Sequence, residues 1–156
     1  MTRANQRGRT PARNGRRGAT IVEFSLFFIL FLVVAVALME LGRGVWTYTT
    51  VAHAARQGAR YAQVHGSLYP IANGDSSIDQ VVRTNAVGLD AQDVAVTTSW
   101  ESWDATNSVW IQDNVNAKGS IVRVQVSYPF RLVTGSLILA QNTIQLRSTS
   151  RMIVAN

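Results

Sequence analysis

Glu23 is the side chain in this sequence whose position most needs an explanation. It lies near the start of an apolar run extending from Ala19 to Met39, and that run holds no other charged residue. A carboxylate in hydrocarbon is costly unless paired or hydrated, so an acid there is a functional candidate with a partner to be identified. Two readings stand: Glu23 meets a positive charge presented by another helix, or it lies shallow and reaches the headgroups.

Other residues capable of chemistry offer less. His53 and His65 fall about 120° apart around a helix of ~3.6 residues per turn, so they do not share a face as two metal ligands would. The chain has no cysteine, which removes thiol nucleophiles, thiolate metal sites and disulfides. Serines and aspartates occur without a nucleophile elbow or a phosphate loop. No enzyme activity, metal or cofactor is therefore expected. Trp100, Trp103 and Trp110 cluster beside Asp104, Thr106 and Asn107 in a hairpin-like stretch suited to contact with sugars or protein. The plain alternative is that these indoles cover one end of a sheet.

The net charge of +6 and pI near 10.8 would suit a nucleic-acid binder if the charge were spread over a fold. It is concentrated at one end instead. Arg3, Arg7, Arg9, Arg13, Arg16 and Arg17 precede Gly18 with no acid among them, and the remaining nine basic residues are matched by nine acidic ones. A neutral remainder lacks the basic footprint that neutralises phosphates, so no nucleic acid is expected as partner and the arginines are assigned to membrane topology.

Residues 1–18 are polar and arginine-rich, a leader with too little apolar surface to fold. The run Ala19–Met39 makes about 32 Å of helix at ~1.5 Å per residue, enough to cross ~30 Å of hydrocarbon. The flanking arginines keep the N-terminus in the cytoplasm and send the chain beyond Met39 to the periplasmic or extracellular side. A removed secretory signal fits poorly, because the run is long and Leu38-Met39-Glu40-Leu41 lacks the small-residue cleavage pattern.

Beyond the span, Val45, Tyr48, Ala52, Ala55, Ala59 and Ala62 recur at steps of three and four, predicting an amphipathic stalk helix that ends at His65-Gly66. Its alanine stripe suits a partner helix or the protein's own sheet. Arg56 and Arg60 lie on a more polar face, while Gly42, Gly44 and Gly58 lower helix stability and permit bending. Glu40 and Arg43 at the membrane exit are read as headgroup anchors, with pairing to another subunit as the alternative.

After a loop with Pro70 and Asn73-Gly74-Asp75, Ser77 and Gln80 have capping-box spacing ahead of a short helix that closes near Gly88. Strand periodicity comes next: Val94, Val96 and Thr98 alternate, then Val122, Val124, Val126 and Tyr128 share one face against Arg123, Gln125 and Ser127. Ile144, Leu146, Ser148, Ser150 and Met152 alternate in the same way with Thr143, Gln145, Arg147, Thr149 and Arg151. Ser148 and Ser150 on the inward face would let sheet and alanine-rich helix approach closely. Leu132, Val133, Leu137, Ile138 and Leu139 around Gly135 form a further apolar cluster, read as core or as a surface near the membrane or another subunit. The predicted fold class is α+β: a long transmembrane and stalk helix, a short second helix, and a C-terminal antiparallel β-sheet packed on the stalk or the short helix.

Gly18-Ala19-Thr20-Ile21-Val22-Glu23-Phe24 before an apolar helix resembles the class III signal of type IV pilin-like proteins. Glu40-Leu41-Gly42-Arg43, the stalk segment Ala54-Ala55-Arg56-Gln57-Gly58-Ala59-Arg60-Tyr61-Ala62 and the closing strand extend the resemblance to the TadE-like family of the tight-adherence (Tad, Flp) pilus system. Gln57 departs from the glutamate expected there. The resemblance implies a pilin-like fold and cleavage by a prepilin peptidase between Gly18 and Ala19, with Glu23 and Phe24 acting in processing and assembly. Glu40, Gly42, Arg43, Arg56, Gly58, Arg60 and Tyr61 become candidate membrane-exit and partner contacts. The implied partners are the peptidase, the Tad assembly platform with its ATPase, and pilin subunits, in a hetero-oligomeric assembly at the cytoplasmic membrane. The organisation expected is a leader over 1–18, a membrane helix over 19–41, a stalk over 42–65 and an external domain over 66–156. An uncleaved, signal-anchored protein binding a ligand through Trp100, Trp103 and Trp110 is the alternative.

Overall fold

The computed structural model describes residues 15–65, 76–113, 116–133 and 142–155. The leader up to residue 14, the loop holding Pro70 and Asn73-Gly74-Asp75, and Leu137, Ile138 and Leu139 beside Gly135 lie outside the described residues. The architecture is α+β. Helix α1 (Gly15–His65) and helix α2 (Ser76–Asn85) precede strands β1 (Ala95–Asp104), β2 (Val109–Asp113), β3 (Ile121–Arg131) and β4 (Thr143–Ile153). No proline occurs between Pro11 and Pro70, so nothing in that interval removes a backbone donor from α1. The chain divides into two compact units, Met1–Met39 and Glu40–Asn156.

The first unit contains the apolar part of α1. Phe24, Phe27, Leu30 and Phe31 are exposed on it, and α1 is the one helix among the described residues long and apolar enough to cross a membrane. Exposing such surface to water costs about 25 cal/mol per Å², a cost that lipid removes. Ser25 Oγ donates to the Ile21 carbonyl at 2.8 Å, which satisfies its hydroxyl within the helix itself.

In the second unit, the rest of α1 and α2 pack on a four-stranded antiparallel sheet of order β2-β1-β3-β4. Val122, Val124 and Val126 of β3 are fully buried and alternate with half-buried Arg123, Gln125 and Ser127. Across the sheet, Val124 pairs with Thr98 and Ser150, and Val126 with Val96 and Ser148. Leu146, Ser148, Ser150 and Met152 are half-buried between exposed neighbours, in the alternation expected for that strand, whereas Ile144, expected on the same inward face, is exposed. Pro129 is tolerated in a central strand because β1 stops pairing at Ala95 opposite Ser127, so no β1 residue stands opposite the missing N–H.

The sheet packs on both helices. Val51, Ala54, Ala55, Ala59 and Ala62 of α1 share one core with Ile78 and Val82 of α2. The buried stripe of α1 therefore differs from the expected one: Val45 and Tyr48 are exposed, while Thr47, Ala54 and Gly58 are inside. In an alanine-rich helix, steps of three and four can be traced along adjacent lines, and only the apposed sheet selects among them. Helix α2 begins at Ser76, so Ser77 lies within its first turn rather than ahead of it. Gly88, at φ 77°, closes the following turn, where Leu89 N–H donates to the Ala86 carbonyl at 3.1 Å.

Candidate functional site

Gly18, Ala19, Glu23 and Phe24 all lie on α1 and are exposed. A Cβ added at Gly18 would meet nothing within 4 Å. Glu23 has no ion-pair partner among the described residues. Phe24 stacks on Phe28, one turn later, with centroids 6.1 Å apart. This end of the helix thus presents these four residues outward, with no packing among the described residues that would hide them.

At the start of the second unit the expectation for Glu40 needs correction. Glu40 is 8% exposed, and its carboxylate accepts a hydrogen bond from the Val133 N–H, so it is not a solvated headgroup anchor. The turn after β3 leaves a backbone donor that β4 does not take, and the helix supplies a charged acceptor for it. Arg43 is exposed; it donates to the Arg131 carbonyl at 3.4 Å, and its guanidinium lies 5.1 Å from the Phe130 ring centroid. The Phe130 ring is 3.7 Å from where a Cβ would stand on Gly44, while Gly42 is open. These contacts clip the end of β3 to the helix within its first turn past Met39.

Gly58 is buried in the core where α2 and β3 meet α1. A Cβ there would stand 2.5 Å from Val82 Cγ2 and 3.3 Å from Val124 Cγ1, so the glycine lets α2 and β3 approach α1 together. Helix α1 runs through Gly42, Gly44 and Gly58 as one element. Arg56 and Arg60 are exposed. Gln57 Nε2 lies 3.3 Å from His53 Nε2, and Tyr61 stacks on His65 with centroids 4.2 Å apart. Among the described residues no group of three or more His, Asp and Glu side chains is arranged to hold a metal.

The three tryptophans are separated. Trp100 is fully buried beneath the helices, and its Nε1 has no hydrogen-bond partner among the described residues, so its indole cannot meet a ligand at the surface. Trp103 and Trp110 pair across the β1–β2 hairpin, edge to face with centroids 5.5 Å apart, and both are exposed. Within the turn, Asn107 Nδ2 donates to Asp104 Oδ2 at 2.7 Å and the Thr106 N–H to Oδ1 at 2.8 Å. These bonds hold the Asp104 carboxyl below the usual carboxylate range.

Two further features have no counterpart in the motifs of the sequence. Trp46 lies against Gly88, its indole edge 2.5 Å from where a Cβ would sit, and lines a cleft of about 390 Å³ with Arg43, Asp90, Asp93 and Phe130. A tryptophan three residues beyond Arg43, just past the apolar run, is the signal that points to it. On the outer sheet face, Glu101 bridges Arg123 and Arg151, the latter at 3.2 Å, where β3 and β4 set the two arginines directly opposite each other. Only the strand register brings these three together.

No curated protein and no solved structure matches the chain. Residues 18–60, which hold Gly18, Glu23, Glu40, Arg43 and Gly58, match the family model for TadE-like protein.

Proposed function

We propose that the chain is a minor pilin or pseudopilin-type component of a Tad (Flp, type IVb-like) pilus, acting in assembly, adherence or secretion. The observation that carries this reading is the coincidence of Gly18-Ala19, Glu23 and Phe24 with the head of a membrane-length helix inside the TadE-like match. Residues 1–18 are the cytoplasmic leader, 19–41 the membrane helix, 42–65 the stalk and 66–156 the external domain. A prepilin peptidase cuts after Gly18, and the new amine on Ala19 becomes the charge partner for Glu23 on a neighbouring helix. A paired acid costs less in lipid than a lone one, so processing and helix association are linked. The assembly platform and pilin subunits are the partners in a hetero-oligomeric assembly. The folded unit beyond the span supports an accessory role over that of a major pilin consisting of little more than the helix.

The mass of the mature membrane-bound protein tests this. A first residue of Ala19, with processing lost on replacing Gly18 by a bulky residue, is expected; a retained Met1 or Thr2 in cells carrying the peptidase would refute it. That second outcome is the one required by an uncleaved anchored binding protein. With Trp100 buried, its ligand surface would rest on Trp103 and Trp110.

A further inference from the structure

We infer that the end of the folded unit beside Glu40 is a membrane-docking foot, with Val133 and Ile144 seated in the headgroup layer of a phospholipid bilayer. The inference rests on the reading of Ala19–Met39 as a membrane span. Val133 is 66% exposed and Ile144 49% exposed, apolar side chains left about half open or more. The Val133 N–H is bonded to the carboxylate of Glu40, the residue that directly follows the apolar run. Ile144 stands opposite Phe130 in the β3–β4 register, and the Phe130 ring lies under the Arg43 guanidinium and 3.7 Å from the Cβ position of Gly44. Both apolar residues are thus tied to the helix between positions 40 and 44. At ~1.5 Å per residue those positions span about 6 Å. The headgroup layer on each side of a ~30 Å hydrocarbon core in a ~40–45 Å bilayer is of similar thickness.

The charges at this end suit a lipid surface without requiring an acidic one. Arg43 and Arg131 are exposed, and their long side chains can reach phosphates from an interfacial position. Asp90 and Asp93 line the same cleft as these arginines, which offsets the local positive charge. A zwitterionic bilayer is therefore the appropriate probe. The foot would hold the folded unit on the membrane before assembly, and extraction of the subunit would have to release it.

The absence of native cysteine makes the test direct. The full chain, one copy per phosphatidylcholine nanodisc, is spin-labelled singly at Val133→Cys, Ile144→Cys, Phe27→Cys or Thr149→Cys, and collision with oxygen is compared with collision with a water-soluble nickel chelate. Labels at 133 and 144 are expected to show an oxygen-to-nickel ratio several-fold above that at 149, on the outer sheet face, and below that at 27, within the apolar run. Ile144→Cys serves as the second reporter if the 133 label disturbs the turn. Lipid exposure at 27 with ratios at 133 and 144 equal to that at 149 would overturn the foot while leaving the span intact. A ratio at 27 equal to that at 149 would overturn the span, and the foot with it.

Discussion

Gly58→Ala adds one methyl group where α1, α2 and β3 meet. The new Cβ would stand 2.5 Å from Val82 Cγ2 and 3.3 Å from Val124 Cγ1, whereas carbon contacts are optimal at about 3.5–4.0 Å. The conflict with Val82 requires a displacement of about 1 Å to reach that range. Val82 is fully buried and β-branched on a helix, where one χ1 rotamer dominates, so it cannot swing aside and α2 itself must move. Overpacking of this kind costs ~1–3 kcal/mol, against a gain of up to ~1 kcal/mol from replacing a helical glycine. A net loss of about 1–2 kcal/mol is expected from those opposing terms. Urea unfolding of the full chain in detergent, followed by tryptophan fluorescence with the buried Trp100 as principal reporter, measures it. Val82→Ala supplies the control: in the Gly58→Ala background it should be less costly than alone, with a coupling of at least about 1 kcal/mol. A Gly58→Ala variant stabilised by ~1 kcal/mol and additive with Val82→Ala would refute the reasoning, because the glycine would then be only a weak helix former.

Three further predictions come from other parts of the second unit. Glu40→Ala withdraws the acceptor from the Val133 N–H and should destabilise the turn by ~1–3 kcal/mol, read as faster amide exchange at Val133; Glu40→Gln, which keeps an acceptor, should do less. Ser150→Leu should cost ~1–3 kcal/mol by overpacking beside Val124, while Thr149→Leu on the exposed face stays within about ±0.5 kcal/mol; equal folded yields would contradict the inward placement of Ser150. The Asp104 carboxyl titrates lower when folded than its ordinary value of 3.8, held by Asn107 and Thr106, so its contribution to the turn is fully present above that value. It is lost as pH falls through the lower folded value, and amide exchange at Thr106 should accelerate there unless Asp104 is replaced by asparagine.

Local rules make much of this protein legible. Glu23 and the charge-free run around it mark a helix long and apolar enough to cross a membrane, because hydropathy and length are properties of consecutive residues. Strands β3 and β4 are readable from their period of two, and the α+β class comes from the change of period after Gly88. The resemblance at Gly18, Ala19, Glu23 and Phe24 is recognisable for the same reason, since they lie within one short stretch.

Other features require the fold. The stalk's alanines permit more than one buried line, and the packing of α2 and β3 against Gly58 selects the one through Val51, Ala54 and Ala55. Glu40 looks like a solvated residue until the turn after β3 offers it the Val133 N–H, a contact between residues distant in sequence. Trp100 cannot be told from Trp103 and Trp110 by composition; the parity of β1 sends the first into the core and leaves the hairpin pair outside. Which helix is long and apolar enough to cross a membrane and where the strands run depend on neighbours along the chain, so the order of residues is enough to specify them. Which side chains are enclosed depends on surfaces contributed by distant segments, so only the packed molecule specifies that.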